Sequence, residues 1–151
     1  MIELVRIDRN NYMDCICLRV REDQRSFVAD NARSLAEAAF EEGIYTRAIC
    51  ADGRVVGFLL FDYDGEIPGW SLSRMMIGAQ FQHRGYGRAA VERFMKMMRE
   101  EMGARELFLS VSVENAAARA MYEKLGFRFV EQIEYEFDGA TYRETRMRVG
   151  L

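Results

Sequence analysis

A short loop that contains two glycines, residues 82–87, constrains what this chain can fold into more than any other feature. The loop follows an apolar run, residues 75–77, and leads at once into a helical pattern, so the segment predicts a strand, a tight loop and a helix N-terminus. Glycine lets the backbone pass close to a ligand, and the free N–H groups at a helix start favour an anion. Arg84 and Arg88 add positive charge beside the loop. The segment therefore predicts a binding site for a pyrophosphate.

The same glycines also fit a different phosphate-binding motif. Residues 85–90 match the GxGxxA pattern of dinucleotide-binding folds, and Glu114 stands near the position of the acidic residue that such folds require. Those folds open with a βαβ unit, whereas the residues before this loop carry the turn signals of a β-hairpin. The context favours another kind of pyrophosphate site, and a dinucleotide-dependent oxidoreductase stays open as an alternative.

Length and composition narrow the class of protein. A chain of 151 residues that is 50% hydrophobic predicts one domain over residues 1–151. With a net charge of −3, the chain is not expected to have the basic surface that binding to nucleic acid or to an anionic membrane requires. Without an apolar signal segment, the chain is expected to be cytoplasmic. Cys15, Cys17 and Cys50 form neither an even set nor a CxxC pair, and the chain has one histidine, so no metal is expected.

Hydrophobic periodicity and turn residues predict alternating strands and helices. Strands are expected at about residues 2–7, 46–50, 55–61, 70–77, 107–113, 133–137 and 142–149, and helices at about residues 10–20, 34–42, 87–102 and 115–124. Asp-Gly pairs at residues 52–53 and 138–139 predict tight hairpin turns. Asn10 or Asn11 is expected to cap the first helix, and Ser34 with Glu37 forms a capping box for the second. Residues 62–69 are expected to form a loop, and the strands at 70–77 and 107–113 are expected to be parallel.

The predicted order of strands and helices resembles that of the GNAT superfamily of N-acetyltransferases, and two separated motifs carry the resemblance. Residues 82–87 are similar to its acetyl-CoA pyrophosphate loop, and residues 115–127 follow its N-x-x-A-x-x-x-Y-E-K-x-G-F segment. The resemblance covers essentially the whole chain. It implies an α/β (α+β) fold with a mixed, mostly antiparallel twisted sheet of about six to seven strands and about four flanking helices. Acetyl-CoA is then expected in a cleft between two parallel central strands, as a cosubstrate.

The resemblance also implies roles for particular residues. Acetyl-CoA would contact Met75, Met76, Ile77, Gln82, His83, Arg84, Gly85, Tyr86, Gly87, Arg88 and Asn115. Tyr122 aligns with a tyrosine that protonates the departing CoA thiolate, and a phenol of pKa about 10 can protonate a thiolate whose conjugate acid has a pKa of about 8.5. Each role has a plainer alternative. Tyr122 also fits an apolar helix stripe, Asn115 also fits a helix cap, and His83 also fits a solvated loop.

The acceptor is predicted from weaker signals. The strand before the loop carries Ser71 and Ser73 where part of the family has a carboxylate base, so the base is undecided. The acids expected near the acceptor are Asp62, Asp64, Glu66 and Glu37, each of which also fits a solvated surface charge. Residues 27–38 and 74–77 resemble bacterial spermine/spermidine N-acetyltransferases, which implies a polyamine acceptor. A different small amine, a peptide amine or a non-catalytic acyl-CoA-binding module stays open, as does a homodimer.

Overall fold

A mixed seven-stranded sheet forms the centre of the protein. The computed structural model describes residues 1–65 and 69–151. Within these residues the strands are β1 (Ile2–Val5), β2 (Ile44–Ala51), β3 (Arg54–Asp64), β4 (Gly69–Ile77), β5 (Glu106–Ser112), β6 (Arg128–Phe137) and β7 (Ala140–Gly150). The α-helices are α1 (Tyr12–Cys17), α2 (Asn31–Phe40), α3 (Tyr86–Glu101) and α4 (Ala116–Lys124). The strand order is β1-β2-β3-β4-β5-β7-β6, which confirms the predicted mixed, mostly antiparallel sheet with four helices.

The parallel neighbours β4 and β5 pair over a short stretch and then separate. Their register contains Ser71 with Phe108 and Leu72 with Leu109. Beyond Leu72, β4 stays paired with β3, while β5 stays paired with β7. At Ser73 the register of β3 and β4 shifts, because Ser73 is an extra residue on β4, and such a bulge bends its strand. The described parts of the two strands therefore enclose a cleft beyond Ser73, at the carboxyl end of β4.

Helices α2 and α3 pack on opposite faces of β4. Arg74 forms an ion pair with Glu37 of α2, and the Sδ of Met76 accepts a hydrogen bond from Asn31 of α2 at 3.4 Å. Met75 and Ile77, the alternate residues, approach the start of α3. Successive side chains of a strand point to opposite faces, which explains this division. The face of the sheet that α3 covers is part of the hydrophobic core. There the ring centroids of Phe94 and Phe61 lie 5.1 Å apart.

Both Asp-Gly turns form as predicted. Asp52 and Gly53 have φ values of 50° and 82°, and Asp138 and Gly139 have values of 55° and 79°. Positive φ at both central residues is the geometry that matches a two-residue turn to the twist of a hairpin. Gly126, which follows α4, also has a positive φ of 99°. No helix among the described residues is long and apolar enough to span a membrane.

The predicted end of the first helix and the predicted start of the second were wrong. Helix α1 ends at Cys17 rather than Val20, because the backbone is already extended at Leu18. Asn11 stands at the N-cap position but its side chain accepts a hydrogen bond from Asp8, so it does not cap the helix. Helix α2 begins at Asn31, before Ser34, because the Asp30 carboxylate accepts from the N–H of Arg33 at 2.8 Å. A carboxylate at this position also meets the positive end of the helix dipole.

The predicted loop at 62–69 was too long. Strand β3 continues through Asp62 to Asp64, and β4 already begins at Gly69. The hairpin ladder pairs Asp62 with Ser71 and Asp64 with Gly69, so backbone hydrogen bonding extends the strands into a polar segment. Propensity alone disfavours aspartate and glycine in strands, but pairing with a neighbouring strand overrides it here.

Candidate active site

A cavity of about 400 Å³ occupies the cleft between β4 and β5, and we call it the cleft cavity. Its lining includes most of the residues that the sequence predicted to contact a cofactor: Met75, Met76, Ile77, Gln82, His83, Gly85, Tyr86, Gly87, Arg88 and Asn115. Arg84 is not among the lining residues, and its guanidinium lies 3.4 Å from the carbonyl of Gln80. Tyr122, the predicted acid, also lines the cavity. The fold thus brings the two sequence motifs to one site.

The loop at one end of the cleft cavity is held by its first two side chains. Gln82 donates from Nε2 to the carbonyl of Ile77 at 3.0 Å and to Oε1 of Gln24 at 2.9 Å. The Nη1 of Arg21 lies 3.0 Å from Nε2 of His83, and because a guanidinium can only donate, the ring nitrogen is the acceptor in this contact. His83 is therefore bonded to the segment that follows α1. These contacts bind the loop to the end of β4 and to the segment between α1 and α2.

The backbone of the loop leads directly into α3. His83 and Gly85 adopt left-handed conformations, with φ values of 63° and 81°, and α3 begins at Tyr86. The first N–H groups of a helix have no acceptor one turn earlier, so they are available to a ligand. Together with the helix dipole they form a site for an anion. The loop therefore fits the pyrophosphate group that the sequence predicted.

Gly87 lies on the wall of the cleft cavity. A Cβ built on Gly87 would lie 3.7 Å from Sδ of Met121, 3.8 Å from Cγ1 of Ile77 and 3.9 Å from Cε of Met75. These three side chains line the cavity, so a side chain at Gly87 would project between them. A glycine here keeps open the space that an extended thioester arm would fill.

The unpaired edge of β4 adds main-chain polar groups to the apolar side chains that line the cleft cavity. From Arg74 to Ile77 the described part of β4 has β3 as its partner on one side and no β5 partner on the other. Main-chain N–H and C=O groups on that side are available to amide groups of a ligand, as in binding by strand addition. The chemistry of the lining therefore fits the pantetheine arm of acetyl-CoA.

Tyr122 lies on α4 with 8% of its surface exposed. Its ring packs edge-on against Phe127, with a centroid distance of 5.6 Å. Burial raises the pKa of Tyr122 to about 12, so its hydroxyl stays protonated at neutral pH. A protonated phenol on the wall of the cleft can serve as a proton donor, and the burial that raises its pKa fits the plain core role equally well.

Asn115 caps α4 and also lines the cleft cavity. Its Oδ1 accepts a hydrogen bond from the N–H of Ala118 at 3.3 Å. The cap thus occupies the oxygen of this side chain, and the Nδ2 group is the part that can donate to a ligand. The cap and a ligand contact use different atoms of one side chain and are compatible.

A second cavity, of about 670 Å³, adjoins the cleft cavity, and we call it the adjacent cavity. It lies between the segment joining α1 to α2, the start of α2 and the β6–β7 hairpin. Residues that line both cavities include Ser73, Arg74, Met76 and Glu144. Its charged lining is balanced, with the arginines Arg19, Arg25, Arg33 and Arg74 and the carboxylates Glu22, Asp30, Asp138 and Glu144. The two cavities meet at β4 and β7.

Glu144 is a site residue that the sequence did not reveal. It lies on β7, where Ser112 of β5 and Ile133 of β6 are its strand partners. Burial raises the pKa of its carboxyl group, and a hydrogen bond from Tyr135 partly offsets that rise. The alternation of the tail predicted a strand, but no local signal showed that this strand would insert beside β5. Only that insertion brings Glu144 to the cleft.

Two of the four acids predicted near the acceptor, Glu37 and Asp62, lie outside the lining of both cavities. Glu37 lines neither cavity, and its carboxylate lies 2.7 Å from Arg74 and 3.3 Å from Arg33. Burial alone would raise the pKa of Glu37, but the two arginines outweigh it and hold that pKa below its usual value. Asp62 also lines neither cavity and accepts a hydrogen bond from Ser73 at 2.9 Å. The side chain of Asp64 and the whole of Glu66 lie outside the described residues.

Comparison with known proteins agrees with this architecture. The model of the acetyltransferase (GNAT) family matches residues 8–127. The N-alpha-acetyltransferase of Sulfurisphaera tokodaii is 28% identical over 102 residues, and the match spans 53% of this chain and 61% of that protein. The spermine/spermidine N(1)-acetyltransferase of Bacillus subtilis is 21% identical over 150 residues, 95% of this chain and 98% of that protein.

A solved structure has the same fold. The spermidine N-acetyltransferase from Vibrio cholerae, in complex with CoA and spermine, superposes with a TM-score of 0.76 at 19% identity. The superposition covers 99% of this chain and 95% of that one. At this identity the likeness concerns the fold.

Proposed function

The chain belongs to the GNAT acetyltransferase family, and we propose that it transfers the acetyl group of acetyl-CoA directly to a primary amine. The observation that carries this proposal is the junction of the two cavities at Ser73, Arg74, Met76 and Glu144. An acetyl thioester in the cleft cavity and an amine in the adjacent cavity would meet there. Bringing both reactants together in one complex removes most of the entropic barrier to their reaction.

The residues of the cleft cavity have complementary roles in this proposal. The N–H groups of the loop at 82–87 would bind the pyrophosphate, and the free edge of β4 would pair with the amides of pantetheine. A main-chain N–H near Met76 would stabilise the charge that develops on the acetyl oxygen. When bound, acetyl-CoA supplies the activated thioester, and the protein needs no covalent intermediate of its own.

Tyr122 would supply the proton that the departing CoA thiolate needs. Its raised pKa keeps the hydroxyl protonated while the thiol of CoA, with a reference pKa of about 8.5, leaves as a thiolate. Proton transfer from a positioned acid of this kind contributes about 10²- to 10⁴-fold to a rate. The position of Tyr122 on the wall of the cleft cavity supports this role.

For the acceptor we propose a polyamine such as spermidine or spermine. The support is the relative from Bacillus subtilis, which acts on these amines by its name and is matched over 98% of its length. Asp30, a carboxylate of the adjacent cavity, would bind a distant ammonium group. Ion pairs at a partly exposed surface are screened by salt, with a Debye length of about 8 Å at 0.15 M. The KM for spermidine should therefore rise with ionic strength.

A second candidate acceptor is the α-amine of a peptide. The adjacent cavity has as many arginines as carboxylates, which suits a peptide segment of mixed polarity better than a polycation. The relative from Sulfurisphaera tokodaii, an N-alpha-acetyltransferase by name, adds support for this candidate. The two acceptors differ in a measurable way, because KM for a neutral peptide should depend little on salt.

One set of experiments tests these proposals. Release of free CoA thiol should be measured with acetyl-CoA and a panel containing spermidine, spermine, monoamines and short peptides. Thermal unfolding with CoA, acetyl-CoA or NAD(H) should show stabilisation by the CoA compounds alone. Stabilisation by NAD(H) alone would favour the dinucleotide alternative, and CoA binding without turnover of any amine would favour a binding module.

A further inference from the structure

We propose that Glu144 is the general base that removes the proton from the acceptor ammonium, an inference that rests on the acetyltransferase function proposed above. Of the described residues that line the cleft cavity, Glu144 is the one carboxylate. It also lines the adjacent cavity, where the acceptor would bind. A base must reach both the acceptor nitrogen and the site of attack, and this position at the junction meets that requirement.

A base is necessary because the acceptor arrives as an ammonium ion. An amine with a pKa of about 10.4 is protonated at pH 7, where only about one molecule in 2,500 is the neutral base. Glu144 would take this proton, and the neutral nitrogen would then form a bond to the acetyl carbon as the C–S bond breaks. Tyr122 would protonate the thiolate and regain its proton from the new amide nitrogen. One proton then leaves Glu144 for solvent in each turnover.

The ion pairs around the site leave Glu144 free to act as a base. Arg74 lines the same two cavities, but its guanidinium binds Glu37 at 2.7 Å and the hydroxyl of Ser34 at 3.0 Å. Within the described residues, no arginine or lysine lies within 4 Å of the Glu144 carboxylate. A carboxylate paired with a cation would be a weaker base, because the cation stabilises its charged form. Glu37 therefore supports the base indirectly by binding Arg74.

Tyr135 is the positioning residue for Glu144 in this proposal. Its hydroxyl donates a hydrogen bond to the Glu144 carboxylate. Burial, together with the charge of Glu144, raises the pKa of Tyr135 to about 12, so the hydroxyl remains a donor at neutral pH. The other titratable and charged groups around Glu144 are Arg74 on β4, Tyr142 and Arg146 on β7, and Arg33 and Asp138 across the adjacent cavity. Of these, Arg146 binds Glu131, and Arg33 binds Asp138 and Glu37.

The test is Glu144→Gln, which keeps the shape of the side chain and removes its basicity. At pH 7, kcat/KM for the amine should fall by about 10²- to 10⁴-fold, while the Kd for acetyl-CoA stays within about twofold. As the pH is raised toward the amine pKa of about 10.4, the difference in kcat/KM between the variant and the wild type should shrink by up to about tenfold per pH unit. The reason is that more of the amine is then already neutral and needs no base. Glu144→Asp should recover part of the activity.

A matched control uses Glu136→Gln, because Glu136 is exposed on the same hairpin and lines neither cavity. Wild-type turnover with unchanged kcat/KM in Glu144→Gln would overturn the base assignment alone. A loss that does not narrow at high pH, or that accompanies an equal loss of acetyl-CoA affinity, would also overturn it in favour of a structural role. Absence of turnover by the wild-type protein with every amine would instead refute the acetyltransferase function, and the base assignment with it.

Discussion

Replacing Gly87 with alanine should weaken binding of CoA without weakening the fold. Gly87 is the second residue of α3, and an added Cβ would meet its neighbours at 3.7 to 3.9 Å, which is ordinary van der Waals contact. Alanine is favoured over glycine inside a helix by about 0.5 to 1 kcal/mol. At this helix end the free energy of unfolding should therefore be unchanged or slightly higher. A gain of 1 kcal/mol corresponds to about 2–4 °C in Tm for a domain of this size.

The effect on ligand binding should have the opposite sign. The new methyl group would project between Met75, Ile77 and Met121, into space that the cleft cavity offers to a ligand. If it forces the loss of one hydrogen bond to a charged phosphate, the cost is about 1.5–3 kcal/mol. That free energy corresponds to a Kd for CoA about 10- to 150-fold higher. Gly87→Val should weaken binding further because its side chain fills more of the cavity.

Isothermal titration with CoA and thermal unfolding without ligand measure the two effects separately. Gly150→Ala is a suitable control, because a Cβ on Gly150 meets nothing within 4 Å and Gly150 does not line the cleft cavity. Gly85 is a poorer probe, since its φ of 81° would strain any other residue. Wild-type affinity for CoA in Gly87→Ala would refute the assignment of this cavity to acetyl-CoA. A loss of affinity that is accompanied by a matching fall in Tm without ligand would refute it as well.

Three further predictions concern Tyr122, Glu144 and Tyr135. In Tyr122→Phe, kcat should fall by about 10²- to 10⁴-fold with the affinity for acetyl-CoA little changed, and wild-type turnover would return this ring to a purely structural role. Burial raises the folded-state pKa of Glu144, so the stability that the protonated carboxyl group contributes is lost as the pH rises through that pKa. At pH 7 the urea unfolding midpoint of Glu144→Gln should therefore be at or above the wild-type value. Tyr135→Phe removes the hydrogen bond that lowers the pKa of Glu144, so the acid limb of the kcat/KM profile should move to higher pH, and an unmoved limb would contradict this coupling.

Features set by neighbours along the chain could be predicted from the sequence. The two Asp-Gly turns, the strand, loop and helix around residues 75–101, and α4 with its following glycine all depend on contacts within a few residues. Resemblance to a known family then implied the sheet and the approximate place of the cleft. The structure confirms the fold and gathers Tyr122, Asn115 and most of the loop residues at one cavity. Their roles in catalysis and binding remain predictions for the experiments above.

Local signals failed where distant contacts compete with them. Ser34 had a good local pattern for a helix cap, but it is buried in α2, where its hydroxyl accepts from Arg74 of β4. Glu37 appeared free to bind a substrate cation, yet the fold places it against Arg74 and Arg33. Arg33 lies four residues before Glu37 on the same helix, but Arg74 belongs to β4. Periodicity within one helix carries no information about that distant partner.

The amino-acid sequence by itself determined the kinds of element in this protein, the turns between them and the loop that fits a pyrophosphate. The tertiary structure alone decided which carboxylate reaches the cleft. Glu144 comes to Ser112 because β7 inserts between β5 and β6, out of chain order. The alternation of a strand specifies which side chains share a face, but strand order and register specify what that face meets. Those two properties depend on the packing of the whole sheet, and for that reason the candidate base became visible only in the folded chain.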